Sequence, residues 1–180
     1  MSKVAIVGDP SGTGTFTISA PNGNTDRTLV LPDEAGTIIT TAGVPASAMP
    51  AGSVIQVATS GYFGGSGTTS SSAVATGRYV DITPLFSTST IVVWMSSSVY
   101  KNGGYGFFYI YRNGSVMISQ NQMGNALTFY VPTTMMGYDV PNTTSSVRYE
   151  IYISNNSGTD IYLPPGSADT TRLVAMEIKG

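Results

Sequence analysis

The chain has 180 residues, only 10% of them charged, with a formal net charge of −2 and neither Cys nor His. Soluble domains usually carry about 25% charged residues, so polarity here comes from Ser, Thr, Asn and Gly instead. A disulfide framework, thiol chemistry, Ser-His-Asp catalysis and imidazole-based metal binding all lack their residues. The eight Lys and Arg are scattered rather than gathered into a patch for nucleic acid. No apolar run approaches the ~20 residues of a membrane helix, and Val4–Val7 is too short an apolar core for a signal peptide. The expectation is a soluble protein made in a cytoplasm, with no membrane insertion and no nucleic-acid partner.

In chain order, Val4–Val7 reads as a buried or docking strand ended by Gly8-Asp9-Pro10. The glycine-rich GDPSGTG lacks the Gly-Lys-Ser/Thr ending and no helix follows it, so it is not a phosphate loop. Thr15–Ser19 alternates, with Phe16 and Ile18 on one face. Asn22-Gly23 turns the chain, Arg27–Leu31 presents Leu29 and Leu31 and stops at Pro32, and Thr37–Thr41 adds Ile38 and Ile39. So few apolar side chains cannot bury a core: segments below about 40 residues need disulfides, metals or oligomerisation. Residues 1–41 are therefore expected to form an extended β arm. It would dock or oligomerise by burying Phe16, Ile18, Leu29, Leu31 and Ile38 against sister chains or a larger body. The plainer alternative is a hairpin added to the edge of the downstream sheet.

Residues 42–52, AGVPASAMPAG, form a linker of small residues and prolines, and residues 53–180 carry the strands of a knob. Ser53–Thr59 opens it, and Gly61–Gly77 reads as a long polar loop with Tyr62 and Phe63 near its start. Arg78–Ile82 is a short strand. Thr90–Ser98 is apolar on both faces, which predicts a central strand packed on both sides with Trp94 in the core. Asn113-Gly114, between Tyr105–Tyr111 and Ser115–Gln120, is the strongest short-range hairpin signal in the chain. Leu127–Val131, a loop over Met135–Tyr138, Arg148–Ile153 with Tyr149, Ile151 and Ile153 on one face, Asp160–Leu163 and Val174–Ile178 complete the knob. No 3.6-residue apolar period persists for three turns. The fold class is all-β, an N-terminal arm followed by an antiparallel jelly-roll-like sandwich.

The ten acidic residues are spread along the chain, and only Asp33-Glu34 are adjacent. That gives no paired carboxylates for glycoside hydrolysis and no oxygen spacing of a calcium loop, so neither a cofactor nor a metal is expected. Aromatics in or beside Gly-rich loops, namely Tyr62, Phe63, Tyr100, Tyr105 and Tyr138, are candidates to stack on sugar rings. Tyr is also an ordinary residue of strands and rims.

Three stretches carry a family resemblance. Ser19-Ala20-Pro21-Asn22, then DRTLVLPD at 26–33, then AGTIIT at 35–40, resemble a module of tail-fibre and related appendage proteins of tailed phages, especially marine and cyanobacterial ones. Ser53–Val57 resembles the usual opening of that family's knob, and Thr170–Lys179 its last strand. The resemblance implies a homotrimeric virion protein assembled in the host cytoplasm, with the major capsid protein or tail and baseplate proteins as partners. A capsid decoration or cement protein is favoured, because 180 residues leave no room for a long shaft. The alternatives are a short tail fibre or receptor-binding tip recognising host surface glycan, and a glycan-degrading enzyme.

Overall fold

Apolar and polar residues alternate at the period of a pleated strand through most of the chain beyond residue 53. The computed structural model describes residues 43–61, 65–123, 127–164 and 171–180, with Gly8, residues 10–15, Thr17, Ser19, residues 22–26 and Thr28. The chain divides into two units, 1–38 and 39–180, and all of the described strands belong to the second. These are β1 (Val54–Thr59), β2 (Ser66–Thr68), β3 (Val74–Ile82), β4 (Thr90–Lys101), β5 (Gly106–Arg112), β6 (Ser115–Met123), β7 (Leu127–Asp139), β8 (Val147–Asn155), β9 (Ile161–Leu163) and β10 (Arg172–Ile178). One 3₁₀ turn, Ala46–Ala48, is the only helical element among the described residues.

Pairing is antiparallel throughout and nested. β5 pairs with β6, β4 with β7, β3 with β8, β2 with β9 and β1 with β10. The centre of the nest is Asn113-Gly114, with φ of 47° and 83°, the left-handed pair that a two-residue hairpin loop requires. The Asn113 N–H donates to the Arg148 carbonyl (2.9 Å), and the Arg148 N–H donates to Asn113 Oδ1 (2.8 Å), fixing the loop to β8. The three inner pairs alternate between two sheets, β5–β6 and β3–β8 in sheet B with β4–β7 in sheet A, while the two outer pairs, β2–β9 and β1–β10, both lie in sheet A. Sheet B has the order β3-β8-β5-β6. In sheet A, β1-β10-β4 is flanked by β7, and the short β9 and β2 continue beyond the end of β10. The architecture is an all-β antiparallel sandwich, and the order β1-β10-β4-β7 against β3-β8-β5-β6 is that of a jelly roll.

The core lies between the sheets. Ile91, Val93, Met95 and Val99 of β4 and Leu173 and Ala175 of β10 face Phe108 and Ile110 of β5 and Tyr149, Ile151 and Ile153 of β8. Two cations are buried among them. Arg78 sits at a bulge of β3, just after Gly77 (φ 71°), and donates to the Pro164 carbonyl (2.9 Å) and to Thr171 Oγ1. Lys101 Nζ donates to the carbonyls of Gly103 and Gly104. The Glu177 carboxylate, also buried, accepts the N–H groups of Leu85 (2.8 Å) and Phe86 (3.2 Å) and so holds the connection from β3 to β4.

Four expectations need correcting. The stretch Gly61–Gly77 is not one loop: it contains β2 and the start of β3, because Ser66–Thr68, poor in strand formers, gains its backbone partners from β9. Met135–Tyr138 is not a loop but lies within β7. A Cβ on Gly137 would strike the side chain of Ile118, so the bare glycine is what lets β7 run close to β6 there. β4 is packed on one face only, and Trp94 is 48% exposed on the other rather than in the core. Residues 43–53 are tied to the knob, through Gly52 N–H to the Lys179 carbonyl (2.8 Å) and Lys179 Nζ to the Ser47 carbonyl (2.7 Å), so they are not a free linker.

A three-residue contact joins the sheets at the end of β7. Asp139 accepts from Arg112 of β5 (2.9 Å) and, through its other oxygen, from the hydroxyl of the buried Tyr149 of β8 (2.8 Å). Burial, then the hydrogen bond to Asp139, raises the Tyr149 phenol well above its ordinary value of 10. A raised folded-state value means that the stability gained is present below pH 10 and falls as pH rises beyond it, because the unfolded phenol gives up its proton first. Tyr149→Phe is expected to lower unfolding free energy by about 1–2 kcal/mol at neutral pH. It should also flatten the decline above pH 10, with urea titrations at several pH values as the measurement.

Candidate functional site

Direct cross-strand partners project to the same side of a sheet, so the register of sheet A composes its outer face row by row. Val57, Met176, Val92 and Tyr138 form one row across β1, β10, β4 and β7; Thr59, Val174, Trp94 and Met136 form the next. Seven of these eight side chains are apolar or aromatic and none is charged. Met136 is 69% and Tyr138 77% exposed, and Val57 and Trp94 are about half exposed. Beside them, where β7 and β6 form the open edges of their sheets, a hollow of about 340 Å³ is lined by Val92, Ile118, Met136, Gly137 and Tyr138. Isolated exposed apolar residues are ordinary; two contiguous rows around Trp94 make this patch a candidate interaction surface.

Further along β4 the face changes character. Arg172, Ser96 and Thr134 form a polar row, and Ser98 stands opposite Pro132. Beyond that, β9 replaces β10 beside β4, and Tyr162 pairs directly with Tyr100. Tyr100 in turn meets Tyr130 of β7, ring centroids 5.9 Å apart at 53°. On the outer side Gly67 of β2 is the register partner of Tyr162. A Cβ at Gly67 would collide with the Tyr162 ring and with the Ile161 carbonyl, so the glycine gives the ring its place. A second hollow of about 450 Å³ adjoins it, lined by Gly67, Thr68, Thr69, Asp160 and Tyr162.

The loop that carries Asp160 is held firmly. Its carbonyl accepts from the Asn102 N–H (2.9 Å), and the Thr159 hydroxyl donates to the Gly103 carbonyl (2.8 Å). Asn156 exchanges bonds with Tyr105, through its N–H to the Tyr105 carbonyl (3.0 Å) and its Oδ1 from the Tyr105 N–H (2.8 Å). Other described carboxylates of the knob are committed elsewhere. Asp81 pairs with Arg148, whose hydrogen bond holds it below the ordinary carboxylate value; Glu150 accepts from the Gly77 N–H. The outer face of sheet B satisfies itself: Tyr111 stacks on Tyr152 at 3.7 Å, and Arg148 lies 3.7 Å over the Tyr79 ring.

The five aromatics named from sequence do not form one cluster among the described residues. Tyr100 belongs to the tyrosine row, and Tyr138 lies on the same face at its apolar end. Tyr105 sits in the turn before β5, bound to Asn156. Tyr62 and Phe63 lie outside the described residues, as do Phe16, Ile18, Leu29, Leu31 and Ile38 of the arm. Tyr130 and Tyr162 escaped sequence reasoning. Tyr162 could have been placed, since the buried Ile161 and Leu163 on either side force it outward. Among the described residues no group of three or more acidic side chains is placed to hold a metal ion.

No protein-family model and no curated protein matches the chain. Solved structures that it resembles include the insecticidal delta-endotoxin Cry8Ea1 of Bacillus thuringiensis, at 11% identity and a TM-score of 0.37. The match covers 63% of this chain and 19% of the toxin.

Proposed function

We propose that this chain is a non-enzymatic structural protein of a tailed-phage virion, a homotrimeric appendage that decorates and cements the capsid. The observation that carries the reading is the uncharged apolar end of sheet A, which a lone protomer leaves in water. Interface cores are depleted of charge and enriched in Trp, Tyr and Met, and these rows have that composition.

Magnitudes indicate how the contact would work. Four strands at ~4.8 Å and two rows ~7 Å apart give a patch of roughly 250 Å² in projection. A standard interface buries about 800 Å² per partner, so the patch supplies about a third of one. Burying it on both partners gains about 12 kcal/mol at ~25 cal/mol per Å², comparable with an association cost of about 4–15 kcal/mol. The patch alone makes a weak contact. The remainder is assigned to the N-terminal arm, through Phe16, Ile18, Leu29, Leu31 and Ile38, between sister chains or on the shell.

Two outcomes are expected. Light scattering of the full chain should give three times the protomer mass, and the double variant Trp94→Glu, Met136→Glu should run as a monomer that remains folded. The emission of Trp94, the single tryptophan, should move to longer wavelength on dissociation. A wild type that stays monomeric at high concentration, or a variant that stays trimeric, removes sheet A from the interface. Separately, deleting residues 1–41 should abolish co-sedimentation with capsids while leaving the β-sheet circular dichroism of the knob intact. A truncated chain that still decorates particles would overturn the docking role of the arm.

A further inference from the structure

We propose that the tyrosine end of sheet A, together with the hollow beside Tyr162, is a binding site for a neutral carbohydrate chain. This site does not depend on the virion reading and uses the other end of the sheet.

Three features of this end belong together. Tyr162, Tyr100 and Tyr130 stand in one row across three strands, and Tyr130 and Tyr162 are well exposed. Aromatic faces of this kind take up the C–H face of a pyranose ring, while the phenol tips stay wet. The row is built by the fold, since Gly67 is bare where the Tyr162 ring must lie. The anchored loop 156–160 then brings Asp160 to the wall of the adjoining hollow, which Thr68 and Thr69 of the neighbouring β2 end also line. A carboxylate accepts charge-assisted hydrogen bonds from hydroxyl groups, and threonine hydroxyls both donate and accept. The site therefore offers ring platforms, one anion and neutral hydroxyls.

The same features discriminate between occupants. Single-stranded nucleic acid also stacks on aromatics, but it requires a positively charged groove, and the described residues lining this hollow include Asp160 and no Lys or Arg. Anionic sugars meet the same objection. A second copy of the chain would bury Asp160 against a protein surface, stranding a charge unless a cation met it. The apolar end of the sheet carries no such cost. A neutral saccharide leaves the carboxylate partly wet and supplies it with hydroxyl donors. A hollow of about 450 Å³ is in the range of small-molecule sites.

The test uses the full-length protein on an array of neutral and of sialylated, sulfated and phosphorylated oligosaccharides. Calorimetry then follows with the best-retained neutral oligosaccharide. Tyr130→Ala and Tyr162→Ala should each weaken binding at least about tenfold, a difference calorimetry resolves. Gly67→Ala should weaken it as well with every phenol in place, because the new methyl displaces the Tyr162 ring. Tyr162→Phe should retain binding, and so should Tyr138→Ala at the opposite end and the double variant Trp94→Glu, Met136→Glu. Should Tyr162→Ala fail to fold, Tyr130→Ala and Gly67→Ala carry the same reading. The proposal is overturned by an array with no neutral sugar retained, by preference for the anionic set, or by ring variants that bind as wild type. It is also overturned if Tyr130→Ala and Tyr162→Ala change the subunit mass and leave sugar binding unaltered, which would make this end a contact between copies.

Discussion

Every strand of the knob pairs with its mirror image about Asn113-Gly114, and this nesting governs the rest of the molecule. Only the innermost pair, β5 with β6, is closed by a two-residue loop. Each outer pair must close a longer stretch, at an entropic cost that grows as the logarithm of its length. The order of expense is therefore β5–β6, β4–β7, β3–β8, β2–β9, β1–β10. Because the three inner pairs alternate between sheets, a roll of this kind cannot be completed one sheet at a time. Topologies dominated by such non-local pairings fold slowly for that reason. The Asn113 side chain is bonded to Arg148 of β8, so the tip of the nest is tied to the neighbouring strand of its own sheet.

Nesting also makes some strands edges and one strand a hub. β4 pairs with β10 and β9 along one side and with β7 along the other. Its inward residues are the core, and its outward residues line the face where both candidate surfaces lie. β7 has only β4 as a neighbour in sheet A, yet it is held at its far end by Asp139 reaching Arg112 and Tyr149 of the other sheet. That contact fixes an edge strand whose exposed Met136 and Tyr138 would otherwise be free to shift, which ties the packing of the core to the geometry of the surface.

Much of the fold was legible in the residues. The Asn-Gly hairpin, the alternation of Tyr149, Ile151 and Ile153, and the absence of a helical period all follow from rules that act within a few residues, and the structure agrees with them. What escaped depends on partners far along the chain. Thr90–Ser98 reads as buried on both faces because Val92 and Trp94 are as apolar as Ile91 and Val93, and only the fold shows that Trp94 is half exposed and Val92 partly buried on the outer face. β2 is poor in strand-forming residues and gains its backbone partners from β9. β7 includes Gly137, a poor strand residue in isolation, whose missing side chain is what Ile118 requires. The tyrosine row combines residues 100, 130 and 162, each ordinary alone, through one register pair and one ring contact that no local pattern encodes.

Charge placement explains why one face can carry two unlike surfaces. Sheet B neutralises its outer face internally, with Asp81 against Arg148 and tyrosines stacked on each other, and so offers little to a partner. Sheet A leaves Val57, Trp94, Met136, Tyr138, Tyr130 and Tyr162 exposed on its outer face, and the two ends differ. At one end no charge interrupts the apolar rows, and burial against protein gains free energy without stranding an ion. At the other, Asp160 makes full burial costly while its oxygens remain available to hydroxyl groups. The polar row of Arg172, Ser96 and Thr134 separates the two. A contact between copies that spread from the apolar end would have to desolvate this row before reaching the tyrosines. The face is thereby divided by its own polarity: on the two proposals made above, a protein partner would be confined to the end around Trp94, and the end around Tyr162 would stay open to a soluble polyhydroxyl ligand while the first is covered.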